Sequence, residues 1–271
     1  MANRGSVKPS GNFNSSADAE VLHKAMKGLG TDEDAILQLL TARSNVQRQE
    51  IKAAYKTLFG KDLVDNLKSE LGGKFETLIV GLMTPPIMYD AKSLHDAIKG
   101  AGTDEKVLVE ILASRTPEVV NAIKAAYKKE YDHDLEEDVS GDTSGHFKRL
   151  LVILLPFSVF DVYMKMAGYE MEESIKRETS GSLEDLLLAV VKCARSVPAY
   201  FAETLYYAMK GAGTDDNTLI RVMVSRSEVD MLDIRAAFRR LFSCSLHSMI
   251  KGDTGGDYRK ALLLLCGGDD A

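Results

Sequence analysis

Three short segments carry the same pair of glycines behind a lysine: KGLGTDE at 27–33, KGAGTDE at 99–105 and KGAGTDD at 210–216. Glycine reaches positive φ without a steric penalty, so two glycines two residues apart let the chain turn sharply and direct alternate carbonyls toward one point. The candidate ligands are the carbonyls of Met26, Gly28 and Gly30, of Ile98, Gly100 and Gly102, and of Met209, Gly211 and Gly213. Each set is followed by an acid at a constant distance, since Met26 to Glu70, Ile98 to Asp142 and Met209 to Asp253 are each 44 residues. Carbonyl oxygens completed by a carboxylate suit a hard cation, and Ca²⁺ in particular, because it accepts oxygen ligands in flexible geometry. Three neutral carbonyls and one carboxylate leave such an ion with net positive charge and open positions, which phosphate oxygens of a phospholipid would fill. Several sites on one face would then act multivalently. The middle residues Leu29, Ala101 and Ala212 would project toward the interface, and Lys27, Lys99 and Lys210 would meet headgroup charge or solvent.

A single KGxGT turn with a capped helix would be an ordinary connection between helices. Three copies of both halves in register argue for a site instead. The EF-hand loop pattern D-x-[DN]-x-[DN]-G does not occur. The five histidines (His23, His95, His133, His146 and His247) lack metal-binding spacing, and no P-loop, nucleophile elbow or dinucleotide fingerprint is present, so no enzyme is expected. Cys193, Cys244 and Cys266 are scattered and read as reduced thiols of a cytosolic protein.

The loops belong to larger units. TARS (41–44), ASRT (113–116) and VSRS (224–227) keep the steps of 72 and 111 residues that separate the loops, as do AAYKTLFGKDL (53–63), AAYKKEYDHDL (125–135) and AAFRRLFSCSL (236–246). The second step is longer by 39, and DVYMKMAGYEMEESIKRETSG (161–181) matches 125–145 at a constant offset of 36. That fragment is the back half of a repeat without its loop. It keeps an acid, Glu178, and no equivalent site is expected there. The chain thus divides into a tail (1–16), repeat one (17–84), repeat two (85–156), a truncated repeat three (157–195) and repeat four (196–271).

Within a repeat the apolar period is helical and strand signals are absent. The first repeat predicts helices at Ala17–Lys27, Glu33–Ala42, Val46–Phe59, Leu63–Leu71 and Lys74–Met83. Ile36, Leu37, Leu39 and Leu40 line one apolar face, Ile51, Tyr55, Leu58 and Phe59 a second, and Phe75, Leu78, Ile79, Leu82 and Met83 a third. Thr31, Thr103 and Thr214 are expected to open and cap the second helix of their repeats, with acid in its first turn. In the truncated repeat, helices are expected at Phe157–Met166, Glu170–Lys176 and Leu183–Ala194. One such unit cannot bury all its apolar faces, so an all-α stack of repeats is the expected fold.

The 271 residues are 45% hydrophobic and 27% charged, which is the globular balance and excludes disordered and fibrous classes. The longest apolar run, Leu150 to Phe160, contains a proline and is far below the ~20 residues that span a bilayer. The polar start, MANRGSVKPSGNFNSS, predicts neither a secretory signal nor a partner-binding amphipathic helix. A net charge of −6 disfavours nucleic acid and bare anionic lipid, so an anionic partner needs a bridging cation or a local patch.

The GxGT-[DE] loops, the helix after each that ends in arginine (Arg43, Arg115, Arg226), and the acid before a glycine turn resemble the annexins. The resemblance covers nearly the whole chain from about Ala17. It implies a curved disc of five-helix repeats, here three complete and one truncated, binding acidic phospholipids, above all phosphatidylserine, reversibly and through Ca²⁺. The twelve ligand positions above fall on the family's loop and acid positions in repeats one, two and four. It further implies a cytoplasmic protein that is peripheral on membranes when Ca²⁺ rises, or extracellular without a signal peptide, with self-association on the membrane and inhibition of coagulation and phospholipase by shielding lipid. The family also raises a channel through Asp90, Glu110 and Arg115, for which a buried ion-pair network is the simpler role. A helical-repeat protein scaffold is the other alternative, separated by whether Ca²⁺ is required.

Overall fold

The computed structural model describes residues 4–28, 30–100, 102–154 and 170–269. Among the described residues there are sixteen helices and no strands. In the first repeat the helices run Ser15–Ala25, Glu33–Thr41, Asn45–Phe59, Leu63–Glu70 and Gly73–Met83, within two residues of the sequence-based limits. Their ends follow local chemistry. Asn14 and Asp62 cap two N-termini through their side chains, and Ser44 and Gln47 form a reciprocal capping box at a third. The long third helix of each complete repeat stops at a left-handed residue. That residue is glycine at Gly60, but Asp132 and Ser243 hold φ of 58° and 59° in the other two copies.

The expected apolar faces of the first repeat are buried except at Leu58 and Phe59. Ile36, Leu37, Leu40, Ile51, Tyr55, Leu78, Ile79 and Leu82 are fully enclosed, each aliphatic side chain contributing about 1.5–3 kcal/mol. Leu58, assigned to the same face as Tyr55, is instead exposed. Phe59 is half-buried and stacks on His23 at 3.9 Å. The contact recurs as His95 on Tyr131 and Tyr206 on Phe242, both at 3.8 Å, so two of the five histidines serve as ring partners between the first and third helices of a repeat.

The chain forms two compact units, one of residues 1–85 with 201–271 and the other of 86–200. The first therefore combines the first and last repeats. Glu228 ties them, accepting from Arg48 Nη2 at 2.6 Å and from the Asn45 backbone N–H at 2.8 Å. The tail reinforces this as an extended strap. Val7 N–H donates to the Ser227 carbonyl, Leu232 N–H donates to that of Arg4, and Gln47 exchanges two bonds with the Ser10 backbone, all at 2.9–3.0 Å. At Gly5 a Cβ would lie 2.5 Å from the Glu228 backbone, so the strap can approach this closely only without a side chain.

The second unit holds the second repeat, with helices Pro86–Ile98, Glu105–Ser114, Pro117–Tyr131, Leu135–Asp142 and Gly145–Leu154, and the helix Glu170–Glu178. A helical run follows from Gly181 to Met209, with a non-helical residue at Ser196, two before Pro198. Leu186, Ala189, Val190 and Val191 enter the core of the second repeat beside Leu108, Ile111 and Ile123. Leu183 and Leu187 of the expected apolar face are half-buried. The expected helix Phe157–Met166 lies outside the described residues.

Candidate calcium-ligating loops

In all three repeats the loop glycines hold the positive φ their spacing implies: 123° and 88° at Gly28 and Gly30, 118° and 105° at Gly100 and Gly102, 116° and 101° at Gly211 and Gly213. A Cβ at any of the six would meet nothing within 4 Å, so the backbone conformation and not space demands glycine. One bond closes each loop in the same way. The N–H of Asp32, Asp104 and Asp215 donates to the carbonyl of Ala25, Ala97 and Ala208 at 2.9, 2.8 and 2.7 Å. Ile98 and Met209 bury their side chains at the start of the second and third loops, and Met26 is half-buried at the start of the first. Among the described residues no hydrogen-bond donor engages the backbone carbonyls of these residues or of the six glycines.

The acids stand where each loop can reach them. Glu70, Asp142 and Asp253 are the last residues of their helices. Thr31 Oγ1 donates to Glu70 Oε2 at 2.7 Å, and Thr214 Oγ1 donates to Asp253 Oδ2 at 2.8 Å. In the second repeat Thr103 Oγ1 donates to the backbone carbonyl of Asp142 at 3.0 Å instead, leaving that carboxylate unclaimed by the threonine. Sequence reasoning placed these threonines as helix caps. The caps are Asp32, Asp104 and Asp215, whose carboxylates accept from Ala35, Val107 and Thr218 N–H. Displacing the cap by one residue leaves each threonine hydroxyl to bind the acid-bearing turn. A signal for that role was present, because each threonine lies 39 residues before its acid.

Among the described residues no group of three or more His, Cys, Asp or Glu side chains could hold a metal ion. The donors expected at each loop, backbone carbonyls with one carboxylate, would suit Ca²⁺ and not the nitrogen or sulfur preference of zinc. Within the first unit, Glu70 and Asp253 border one acidic cleft of about 500 Å³, together with Glu33, Asp216, Asp257 and Lys74. Lys74 pairs with Asp216. Tyr258 lines the same cleft, and burial, then the charge of Asp216, pushes its ionisation upward.

Other expected residues resolve differently. Lys210 folds back over the rings of Tyr206 and Tyr207, its Nζ 5.3 and 5.7 Å from their centroids, while Lys27, Lys99 and Ala212 are exposed. Leu29 and Ala101 lie outside the described residues. Glu110 is buried, and Asp90 and Arg115 form a bidentate ion pair at 2.7 and 2.9 Å with side chains only 6% exposed. Glu178, left without a loop, is exposed and, among the described residues, pairs with neighbouring Arg177.

The chain is similar in sequence and in fold to known proteins. The Annexin family model matches residues 17–82, 89–154, 157–190 and 200–265, the third stretch being about half as long as the others. Annexin A5 of Mus musculus is 58% identical over 318 aligned positions that take in all of both chains. The structure of chicken annexin V superposes with a TM-score of 0.92 at 57% identity, covering 99% of this chain and 100% of that one. That of calcium-bound annexin (Sm)1 gives 0.86 at 33% identity, covering 98% and 94%.

Proposed function

The chain belongs to the annexin family, and on that premise we propose that it binds phosphatidylserine-containing membranes reversibly through Ca²⁺ held at the loops of repeats one, two and four. The ligands are the carbonyls of Met26, Gly28 and Gly30 with Glu70, of Ile98, Gly100 and Gly102 with Asp142, and of Met209, Gly211 and Gly213 with Asp253. The observation that carries this reading is the threonine tether, made three times, between a glycine loop with unengaged carbonyls and the turn that bears an acid.

Each loop supplies oxygen ligands but a single negative charge, so a bound Ca²⁺ keeps positive charge and vacant positions for phosphate oxygens. The ion is the bridge between a protein of net charge −6 and an anionic surface that would otherwise repel it. Weak single sites suffice because two of them, with Glu70 and Asp253, border one cleft, and the second engages at high effective concentration. No helix among the described residues is long and apolar enough to cross a membrane, which accords with peripheral attachment. Coverage of lipid in this way would shield it from coagulation factors and phospholipase, and neighbouring copies would associate on the surface. The alignment with mouse Annexin A5 is 47 positions longer than this chain of 271 residues, which supports a third repeat lacking its front half.

Sedimentation with phosphatidylserine–phosphatidylcholine vesicles tests the reading. Binding with Ca²⁺ that reverses in chelator is expected. Equal binding in chelator sinks the bridge, and no binding at millimolar Ca²⁺ leaves a helical protein scaffold ahead.

A further inference from the structure

The last repeat carries a second charged feature that the loops do not use. Arg4 of the strap and Arg235, Arg239 and Arg240 of the helix Met231–Phe242 surround a cleft of about 620 Å³ floored by Leu232 and Ala236. We propose that this cleft is a binding site for an anion carrying two or more phosphate groups.

Four of the six lining residues are guanidinium groups, in a chain whose overall charge is −6. A guanidinium presents a planar fork of donors that matches phosphate bidentately, so several around one cleft favour a ligand with several phosphate groups. The arginines are specific to this repeat. The repeat steps place Lys52, Lys56 and Thr57 in repeat one, and Lys124, Lys128 and Lys129 in repeat two, where the last repeat has Arg235, Arg239 and Arg240. A lysine is a mobile point charge and does not replace the fork, so the change from lysine to arginine alters what the surface can recognise.

The cleft is also built in advance. Arg235 is buried, and its Nη1 donates to the carbonyls of Cys266 and Gly267 at 3.2 and 2.8 Å, which fixes its position at the end of the final helix. Arg4 is held by its Nε bond to Asp233 at 2.9 Å and by its own carbonyl, which accepts from Leu232 N–H. Arg239 lies one turn beyond Arg235 and Arg240 one turn beyond Ala236, and both are exposed. The volume lies within the usual range of small-molecule sites, and the floor of Leu232 and Ala236 would accept an apolar or planar part of the ligand. Since Arg4 belongs to the strap, an occupied cleft would also hold the strap against the last repeat.

Such phosphate groups come from a soluble molecule or from a polyphosphoinositide headgroup, and two arms of one experiment separate these sources. Titration of the full chain with inorganic pyrophosphate, in chelator, is expected to give saturable one-to-one binding that weakens as salt is raised. Arg239→Gln with Arg240→Gln is expected to weaken it at least tenfold, and Arg240→Lys, which keeps the charge and loses the fork, several-fold. Arg240→Gln alone, at an exposed position, serves as the check against misfolding. In the second arm, vesicles of phosphatidylcholine with phosphatidylinositol bisphosphate are sedimented in chelator. Capture of the parent but not the double variant assigns the headgroup source, and pyrophosphate binding without capture assigns the soluble one. Absence of saturable binding in both arms, or equal binding by parent and all variants, overturns the proposal. Ca²⁺-dependent sedimentation with phosphatidylserine is expected to be unchanged in these variants, so this site and the loops fail or succeed separately.

Discussion

Thr214 donates its hydroxyl to the carboxylate of Asp253, 39 residues away, and Thr31 makes the same bond to Glu70. Thr103 donates to the backbone carbonyl of Asp142 instead. The difference gives the tether a test. A hydrogen bond to a charged acceptor contributes about 1.5–3 kcal/mol, and one to a neutral carbonyl about 0.5–1.5 kcal/mol. Thr31→Val and Thr214→Val are expected to raise the Ca²⁺ needed for half-maximal vesicle binding several-fold, and Thr103→Val less. Three equal shifts, or none, would show that orienting the carboxylate is not the role of the hydroxyl.

Replacing the acids isolates the charge itself. Glu70→Gln, Asp142→Asn and Asp253→Asn together are expected to abolish vesicle binding while circular dichroism reports unchanged helicity, because each removes the single charged ligand of its loop. Individual replacements should only raise the Ca²⁺ requirement, as multivalent attachment tolerates loss of one site. Binding by the triple variant at the parent's Ca²⁺ concentration would mean the acids are not ligands.

The glycines can be tested where space is not the obstacle. Gly211 has φ of 116°, a region in which an L side chain is strained by about 1–3 kcal/mol, yet a Cβ there would touch nothing. Gly211→Ala is expected to weaken Ca²⁺ binding at that loop by tenfold or more, measured by calorimetry without lipid, with a small change in thermal midpoint. An unaffected Ca²⁺ isotherm would show that the loop reaches its ligating shape without positive φ at this position.

Much of this was legible in the sequence because repetition makes spacing informative. The interval from Met26 to Glu70, kept in three copies, paired loop with acid although nothing local to either names a partner. The helix limits were equally readable, since Ser44, Asp62 and Gly60 cap or stop helices by side-chain and backbone chemistry of their own. What escaped depends on contacts between repeats or on one-residue choices. Asp32 displaced Thr31 as the cap because a carboxylate there also accepts from Ala35, and that choice decides where the threonine hydroxyl goes. Leu58 follows the helical period of Tyr55 but falls outside the packed face. The strap could not be anticipated from a polar segment without periodicity, because its order comes from backbone bonds to Ser227 and Leu232, more than two hundred residues away.

The ion pair of the second repeat should matter for stability more than its counterparts. Arg115 and Asp90 are both 6% exposed, whereas Arg43 and Asp18 of the first repeat are 18% and 10% exposed. In the last repeat Phe201 takes the acid's place, and Arg226 turns to Asp230 at 2.7 Å while lying 4.7 Å from the Phe201 ring. Breaking a buried pair leaves an uncompensated charge at a cost of about 3–5 kcal/mol. Asp90→Ala is expected to approach that range in denaturant unfolding, and Asp18→Ala to fall below it. An Asp90→Ala loss under about 1 kcal/mol would show that water or another acid takes up the charge of Arg115.

Glu178 supplies the control for the whole ligand assignment. It occupies the position of Glu70, Asp142 and Asp253 at the end of its helix, with Thr179 following as Thr143 and Thr254 follow theirs. Yet the residue 44 before it is Asp134, which is already committed to capping the helix Leu135–Asp142 through Glu136 and Glu137 N–H. No glycine loop precedes it at the required distance. Its side chain is 70% exposed, paired at 3.3 Å with Arg177, which is 80% exposed, an arrangement worth about 0–1 kcal/mol. If the site needs carbonyls and acid together, an acid alone does nothing. Glu178→Gln is therefore expected to leave the Ca²⁺ dependence of vesicle sedimentation within about twofold of the parent, whereas Asp253→Asn shifts it several-fold in the same assay. A shift at Glu178 as large as that at Asp253 would mean that the carboxylate recruits Ca²⁺ without a loop, and the pairing of the two halves would lose its basis.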